Sequence, residues 1–382
     1  METVRRRVGV ILGFGFNPEL WRARYAKGEV ADETPYAYHL ASQWFDMEWS
    51  QDRDESPLAR WWRMSVKHFL GFDFVHVWRN RRLIRSVDAV WTHTEREHLA
   101  VALLKLLAPR RYRAVSIAQS VWLWDLWPGL SRGRAALYRT LLRQHALEIV
   151  LSRVNRDASR EAVPGRTVLR VPFGSRFALP APVSGSAISP PRVLVVGNDR
   201  HRDWDLLLEV AARVPEVDFD IISLSHEVRE RPWPSNVEVR SSPQRRVLEA
   251  YATSSLAALP LRQNRHASGC TVAIEAISAG IPLVVSDTGG IDEYVEGADA
   301  ALVPVGDAEA FARAIRERLA SGARGHDGSA IAVERGLSEQ DYVTRLALLT
   351  RSVLDSAPID DVIESFRSPS APPVSPSTEA MA

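Results

Sequence analysis

The chain has 382 residues, of which 46% are hydrophobic and 25% charged, with a formal net charge of +1 at pH 7. That length exceeds one typical core and suits two domains. The near-neutral balance gives no global basic field for nucleic acid. The single cysteine, Cys270, excludes an internal disulfide and a metal site built on several thiolates, and it fits a cytosolic protein.

The first apolar run, "RRRVGVILGFGF", has the basic start of a secretory leader. It is short, is interrupted by glycines, and leads into Asn17-Pro18-Glu19 without a small-residue cleavage site. It reads as a first strand over 7–14, closing in a glycine loop at Gly13 and Gly15. No stretch approaches the roughly 20 apolar residues that span a bilayer. Further short apolar runs follow: "DAVWTHT" (88–94), "YRAVSIAQ" (112–119), "LEIVLS" (147–152) and "TVLRVPF" (167–173). Helical patterns such as "EREHLAVALLKLLA" and "GRAALYRTLLRQHA" fill the gaps. This alternation predicts a parallel sheet flanked by helices over 1–178.

Composition then shifts. The aperiodic "ALPAPVSGSAISPPR" is rich in Pro, Ser and Ala and reads as a linker over 179–191. A second series follows over 192–337, from "RVLVVGN" through "DFDIIS", "VEVRS" and "LAALPL" to "IPLVVSD". A last helix over about 338–357 is expected to pack back near the first domain. A Ser/Pro-rich tail, 367–382, reads as disordered. The fold class is therefore α/β: two Rossmann-like parallel-sheet domains facing each other across a cleft. Ligands of such sheets bind beyond the carboxyl ends of the strands.

The densest chemistry is in "RHASGCTVAIEAISAGIPLVVSDTGGIDEYVEG", residues 265–297. A helix starting at Gly269 or Cys270 would aim free N–H groups and a partial positive charge into the cleft, which suits a phosphate. Ser268 and Thr271 add hydroxyls, and Gly269 admits close approach of a ligand. Glu275 lies one turn beyond Thr271 on the same face, where it can accept hydrogen bonds from a ribose diol. The plainer alternative makes Ser268 an N-cap and Glu275 a surface acid.

"EAISAGIPLVVSDTGGIDEYV" resembles the donor-binding signature of GT-B glycosyltransferases of the retaining family 4 type, through Glu275, Gly280, Pro282, Gly289, Gly290 and Glu293. The resemblance implies that Glu275 binds the nucleotide ribose. Ala267 departs from it, standing where relatives have a glutamate that helps hold the donor sugar, with His266 beside it. "VLVVGNDRHRDWDLLLEVA" is similar to the family's first donor-domain strand, glycine loop and helix. There Gly197 forms the turn and Arg202, then Arg200, would contact the diphosphate by bidentate bonds. Depending on a one-residue shift, Asp203 competes with Arg202 for that position. The signal at "LSHEV" (224–228), where relatives close over the base, is weak.

In the first domain, Gly13 and Gly15 resemble the loop that lets acceptor and donor phosphates meet. "VWTHTERE" sets His93 and Glu95 at the carboxyl end of a strand, and Gln119 occupies a second position that is histidine in relatives. These three are the candidate catalytic residues. The resemblance implies sugar transfer from a nucleoside diphosphate-sugar to a hydroxyl of a saccharide, glycolipid or small molecule, with retention, no cofactor and no metal. No Asp-x-Asp suits a bridging ion, since "DRD" (52–54) lies in an acidic segment of the wrong domain. The loss of the glutamate at 267 also allows a catalytically degenerate partner subunit that only binds nucleotide-sugar.

Ten of the twelve tryptophans lie within the first 127 residues, dense in "RWWRMSVKHFLGF" and "WLWDLW". They stack on a sugar, rest at a membrane interface beside the arginine clusters, or close into an aromatic core. The location expected is cytoplasmic, with peripheral contact on the inner face of a membrane as the second possibility.

Overall fold

The computed structural model describes residues 5–178, 190–321 and 328–359. Most of the expected linker (179–189) and the whole expected tail (367–382) lie outside the described residues.

Two six-stranded sheets carry the chain. The first contains β1 (Arg7–Ile11), β2 (Asp46–Trp49), β3 (Ala89–Thr92), β4 (Val115–Ser120), β5 (Leu147–Val150) and β6 (Val168–Arg170), in the order β2-β1-β3-β4-β5-β6. The second contains β7 (Arg192–Val196), β8 (Asp218–Ile222), β9 (Val237–Arg240), β10 (Leu256–Leu259), β11 (Leu283–Asp287) and β12 (Ala300–Pro304), in the order β12-β11-β10-β7-β8-β9. Every pairing is parallel. Parallel strands need crossover connections, and helices supply them on both faces. The expected fold class holds.

The central strands are apolar on both sides because both faces are covered: β3, β5 and β10 are buried along their whole length. The edge strands β2 and β12, "DMEW" and "AALVP", are only partly buried and carry charge or proline. β2 has no apolar run for a sequence pattern to catch, β12 does have one, and the sequence reading places no strand at either.

The last helix, Glu339–Leu354, starts from a capping box at Ser338 and Asp341. It lies on the first domain, where Tyr342, Val343 and Leu346 join a cluster with Val10, Tyr38 and Trp91. Trp91 Nε1 donates to Thr350 Oγ1 at 2.9 Å. In each sheet the strand order reverses once, between β1 and β3 and between β7 and β10. Ligands of open α/β sheets bind at such reversals.

Candidate functional site

At the β7/β10 reversal lies a cavity of about 660 Å³. One wall is the loops after β7, β8 and β9. The helix Cys270–Ala279 points its mouth into it through Gly269, Thr271 and Val272, with Glu275 one turn deeper. The first domain closes the other side with Trp21, Arg24, Glu29 and Val30. That wall is tied down by backbone: Ala31 N donates to Gln244 Oε1 at 3.2 Å, and Gln244 N donates to Glu29 O at 3.2 Å.

The helix mouth is shaped by two left-handed residues, Ala267 at φ 55° and Gly269 at φ 82°. Gly269 is the N-cap, with no side-chain cap, and its own Cβ would sit 2.7 Å from Leu259. Ser268 is therefore no N-cap: its N–H donates to Asn264 Oδ1 at 3.0 Å, and its hydroxyl lies between Arg202 and Asp199. The Val272 N–H has no acceptor among the described residues, the Thr271 N–H is turned to the Cys270 sulfur, and neither bonds a backbone carbonyl; both residues line the cavity. They are the donors a phosphate would use.

Arg202 is 3% exposed and still lines the cavity. Its Nε donates to Val196 O and its Nη1 to Ser268 Oγ, both at 3.1 Å. The side chain crosses Gly197, where a Cβ would stand 2.3 Å from Nε, so only glycine permits this path. Asp203, the competitor for this position, caps the next helix by accepting from Leu206 N at 3.2 Å. Arg200, expected to contact the diphosphate after Arg202, is exposed and lies outside the cavity lining.

Glu275 accepts from Tyr251 Oη at 2.8 Å and from Ser175 Oγ at 3.3 Å. It is buried, not the surface acid of the plainer reading. Burial pushes its carboxyl up to about 7, against the lowering effect of those two hydroxyls. Cys270, next to the mouth, is buried and its thiol is pushed up to about 12 by desolvation, so it stays protonated.

Behind Ser268 the domains are joined by charge. His266 Nδ1 meets Asp125 Oδ2 of the first domain at 2.7 Å, and its Nε2 lies 3.5 Å from Asp199 Oδ2. Burial lowers the imidazole pKa, but Asp125 and Asp199 overcome it and hold the ring above its usual range. Burial would raise Asp199, yet hydrogen bonds from His201, His266 and Ser268 hold its carboxyl far below the usual range. Asp125, His201 and His266 are the one group among the described residues whose ligand atoms lie within 4.8 Å of one another, as a metal would need. His266 and Asp125 are bonded to each other, which leaves that group arranged as an ion pair. Asp125 carries no motif of its own and comes to the site only through the domain contact.

The rest of the motif joins the domains too. Glu293 accepts from Arg153 N at 2.6 Å and pairs with Arg170 at 2.9 Å, and Tyr294 Oη donates to Leu151 O at 2.8 Å.

The candidate catalytic residues of the first domain lie outside the cavity lining. His93 is buried, bonded to Tyr38 Oη at 2.8 Å and stacked under Tyr36. Desolvation pulls its pKa down to about 3, so it is neutral at ordinary pH. Gln119 accepts from Tyr342 Oη, and Tyr342 meets Tyr38 at 3.3 Å. Glu95 accepts from Val121 N and Trp122 N at 3.3 and 3.2 Å. Glu95 thus holds the loop after β4, while His93 and Gln119 bond Tyr38 and the last helix. His93 is covered by the segment Thr34–His39, in which Tyr36 and Ala37 both have positive φ, at 61° and 54°. Gly13 and Gly15 also lie off the cavity lining. Gly15 has φ 95° and donates its N–H to Asp52 Oδ2 at 3.2 Å, which gives the first acid of "DRD" a loop-holding role. Below Gly13 the sequence reading missed Glu97, buried and pushed up to about 7 by desolvation.

The tryptophans divide. Trp124 is fully buried, donates to Glu148 Oε1 at 3.0 Å and lies beside Trp127. Trp61 and Trp62 are exposed.

Residues 190–321 match the family model described as glycosyl transferases group 1. No curated protein matches the chain in sequence. Solved structures share its fold. Sucrose-phosphate synthase from Thermosynechococcus elongatus superposes with a TM-score of 0.71 at 17% identity, covering 92% of this chain and 100% of its own. The Anabaena protein HepE, solved with UDP and glucose, gives 0.63 at 17% identity over 90% and 99%. A trehalose-phosphate synthase (UDP-forming) from Burkholderia vietnamiensis gives 0.59 at 13% over 91% and 100%. The fold is GT-B, and the second domain bears the group 1 glycosyltransferase signature.

Proposed function

We propose that the chain is a glycosyltransferase that moves a sugar from a nucleoside diphosphate-sugar to a hydroxyl of a saccharide, glycolipid or small molecule. One observation carries this reading. At the β7/β10 reversal, Thr271 and Val272 at the uncapped helix mouth, Arg202 and Glu275 line one cavity, and the first domain forms its other wall. The helix mouth and Arg202 take the diphosphate, and Glu275 takes the ribose hydroxyls one turn away. When the bond from the sugar's anomeric carbon to the β-phosphate oxygen breaks, the negative charge left on that phosphate is met by fixed donors at the helix mouth and Arg202. The acceptor oxygen takes over the anomeric carbon and its proton leaves with the departing diphosphate. The reading includes retention, with no ion bridging the phosphates.

A second reading, a nucleotide-sugar-binding subunit without turnover, is favoured by Ala267, which is 1% exposed in a strained left-handed conformation where the resemblance calls for an acid. A thermal-shift panel of nucleoside diphosphates and their sugars, without added metal, tests both. Binding only to the native state raises the melting temperature. The transferase reading expects one nucleotide to shift it selectively, and the matching sugar to be consumed with a hydroxyl acceptor. A selective shift with no donor turnover supports the subunit. No shift with any nucleotide removes both.

A further inference from the structure

The helix Pro57–Leu70 of the first domain is built inside out. Its inward residue is Arg63, whose Nε donates to Glu55 at 2.9 Å and whose Nη1 donates to Asp73 at 2.7 Å, with its guanidinium 4.0 Å from the centre of the Phe14 ring. Its large apolar side chains face outward instead: Leu58 is 74% exposed, Trp61 64%, Trp62 57% and Phe69 79%. The adjoining helix Phe74–Arg79 packs against it and adds Trp78, 46% exposed, with the Arg81 guanidinium 4.1 Å from its ring centre. An amphipathic helix normally turns this stripe to the core. Here a buried ion network occupies the core side and leaves the aromatics outside.

The charge around the stripe has one sign. Within Pro57–Leu70 there is no acid, and Arg60 and His68 are exposed. Arg134 joins them from the neighbouring helix, its Nη2 donating to Phe69 O at 3.0 Å. The nearby acids Glu55 and Asp73 are already paired, with Arg63 and Arg79 and with Arg63 and Lys67. Asp54, just before the helix, is the exposed acid of this region. Exposed tryptophan and phenylalanine interleaved with arginine on one helix face match a bilayer interface, where rings enter the headgroup boundary and cations meet anionic lipid.

We infer that this helix seats the protein on an anionic lipid bilayer, in the plane of the membrane and without crossing it. Among the described residues no helix is long and apolar enough to cross. The same helix meets the loop at the carboxyl end of β1 through its inner face, where the Arg63 guanidinium lies 4.0 Å from the centre of the Phe14 ring. Docking therefore brings the carboxyl edge of the first domain to the lipid surface. Where the transferase reading holds, the acceptor is lipid-borne.

The test is flotation of the full chain with vesicles, without any nucleotide-sugar, so that it stands apart from the transferase reading. The protein is expected to float with mixed phosphatidylglycerol–phosphatidylcholine vesicles at low salt, and to stay below with phosphatidylcholine alone or at raised salt. Trp61→Gln with Trp62→Gln lowers partition by at least about tenfold, and Arg60→Gln by about fivefold. The variants' nucleotide-induced thermal shift or, failing a nucleotide, an unchanged melting transition shows that they are folded. Wild-type protein that stays below with anionic vesicles overturns the proposal, as does a folded tryptophan variant that floats like wild type. A wild-type dimer that the tryptophan variant converts to monomer, with no flotation, replaces the bilayer by a second copy of the chain.

Discussion

The two strand-order reversals of this molecule treat their polar residues in opposite ways. At β7/β10, Arg202, Thr271 and Glu275 are buried or half-buried and line an open cavity. At β1/β3, His93 and the nearby Gln119 are just as buried, yet their partners are Tyr38 and Tyr342. Both sets lie at the carboxyl ends of parallel strands, where polar side chains usually serve a ligand. Position in the sheet therefore does not separate a binding group from a group that holds the fold together. The separation comes from what faces the cavity: helix N–H groups and a guanidinium in one half, whereas in the other His93 and Gln119 bond tyrosines inside the core and the buried Gln119 Nε2 has no partner among the described residues.

Removing the cationic centre of the donor half has the largest expected effect. Arg202→Ala should lower kcat/KM by about 100- to 1,000-fold, the scale of one preorganised charge donor in a closed site. Gly197→Ala sharpens the point, because it removes no polar group. Its Cβ would fall 2.3 Å from Arg202 Nε and must displace the guanidinium. Steady-state kinetics of the two variants should agree within an order of magnitude. A Gly197→Ala enzyme with wild-type kinetics would take Arg202 out of the site.

Next comes Glu275. Its carboxyl titrates at about 7 in the fold against an ordinary value of 4.5, raised mainly by desolvation. The folded state thus prefers the protonated form. That stability is fully present below the ordinary value and is lost as pH rises through about 7, a change on the order of 3 kcal/mol. Glu275→Gln should abolish this decline, which melting temperatures across pH 4 to 9 would show. The same variant should weaken nucleotide binding by about tenfold through the lost charged acceptor. Greater stability with unchanged affinity would leave Glu275 a buried acid with no ribose role.

Much of the donor half is legible in the sequence because its constraints are local. A glycine turn, a helix mouth and an acid one turn in lie within a few residues of one another, and the spacing alone puts Thr271 and Glu275 on one face. Asp125 is 141 residues from His266, and no spacing announces their contact. Arg200 and Arg202 show the limit of local reading: one is exposed and the other buried, and only the path over Gly197 decides between them. Glu293 reads as part of a donor motif, while in the fold it bonds Arg153 and Arg170 across the domain boundary. The edge strand β2 escapes notice because a half-exposed edge needs no apolar run, whereas β12 carries one that the sequence reading passes over.

The first-domain network gives a smaller effect of a different kind. His93→Ala leaves Tyr38 without its 2.8 Å partner inside the core. Tyr38 keeps only its 3.3 Å contact with Tyr342, and the lost hydrogen bond and ring stacking should cost about 1–3 kcal/mol of stability. A shift of a few degrees follows for domains of this size. Turnover below the melting range should fall less than about threefold on a structural role. A large loss of kcat at unchanged melting temperature would instead make His93 part of the chemistry, and the closed network would have to open during the reaction.

The smallest expected effect lies where the two halves meet. His266 is held above its ordinary value of 6.5 by Asp125 and Asp199, against the lowering effect of burial. Its contribution to stability is present below that value and is lost as pH rises through the raised one. Asp125→Asn removes one of the two carboxylates and should cost about 1 kcal/mol at pH 6. The difference from wild type should shrink as the imidazole loses its proton. Measured in a Glu275→Gln background, the curve is free of the larger decline from that residue. A constant difference at every pH would mean that Asp125 acts through its bond to Arg265 N, at 2.7 Å, and that the domain junction is held by backbone contacts with no part for the charge on His266.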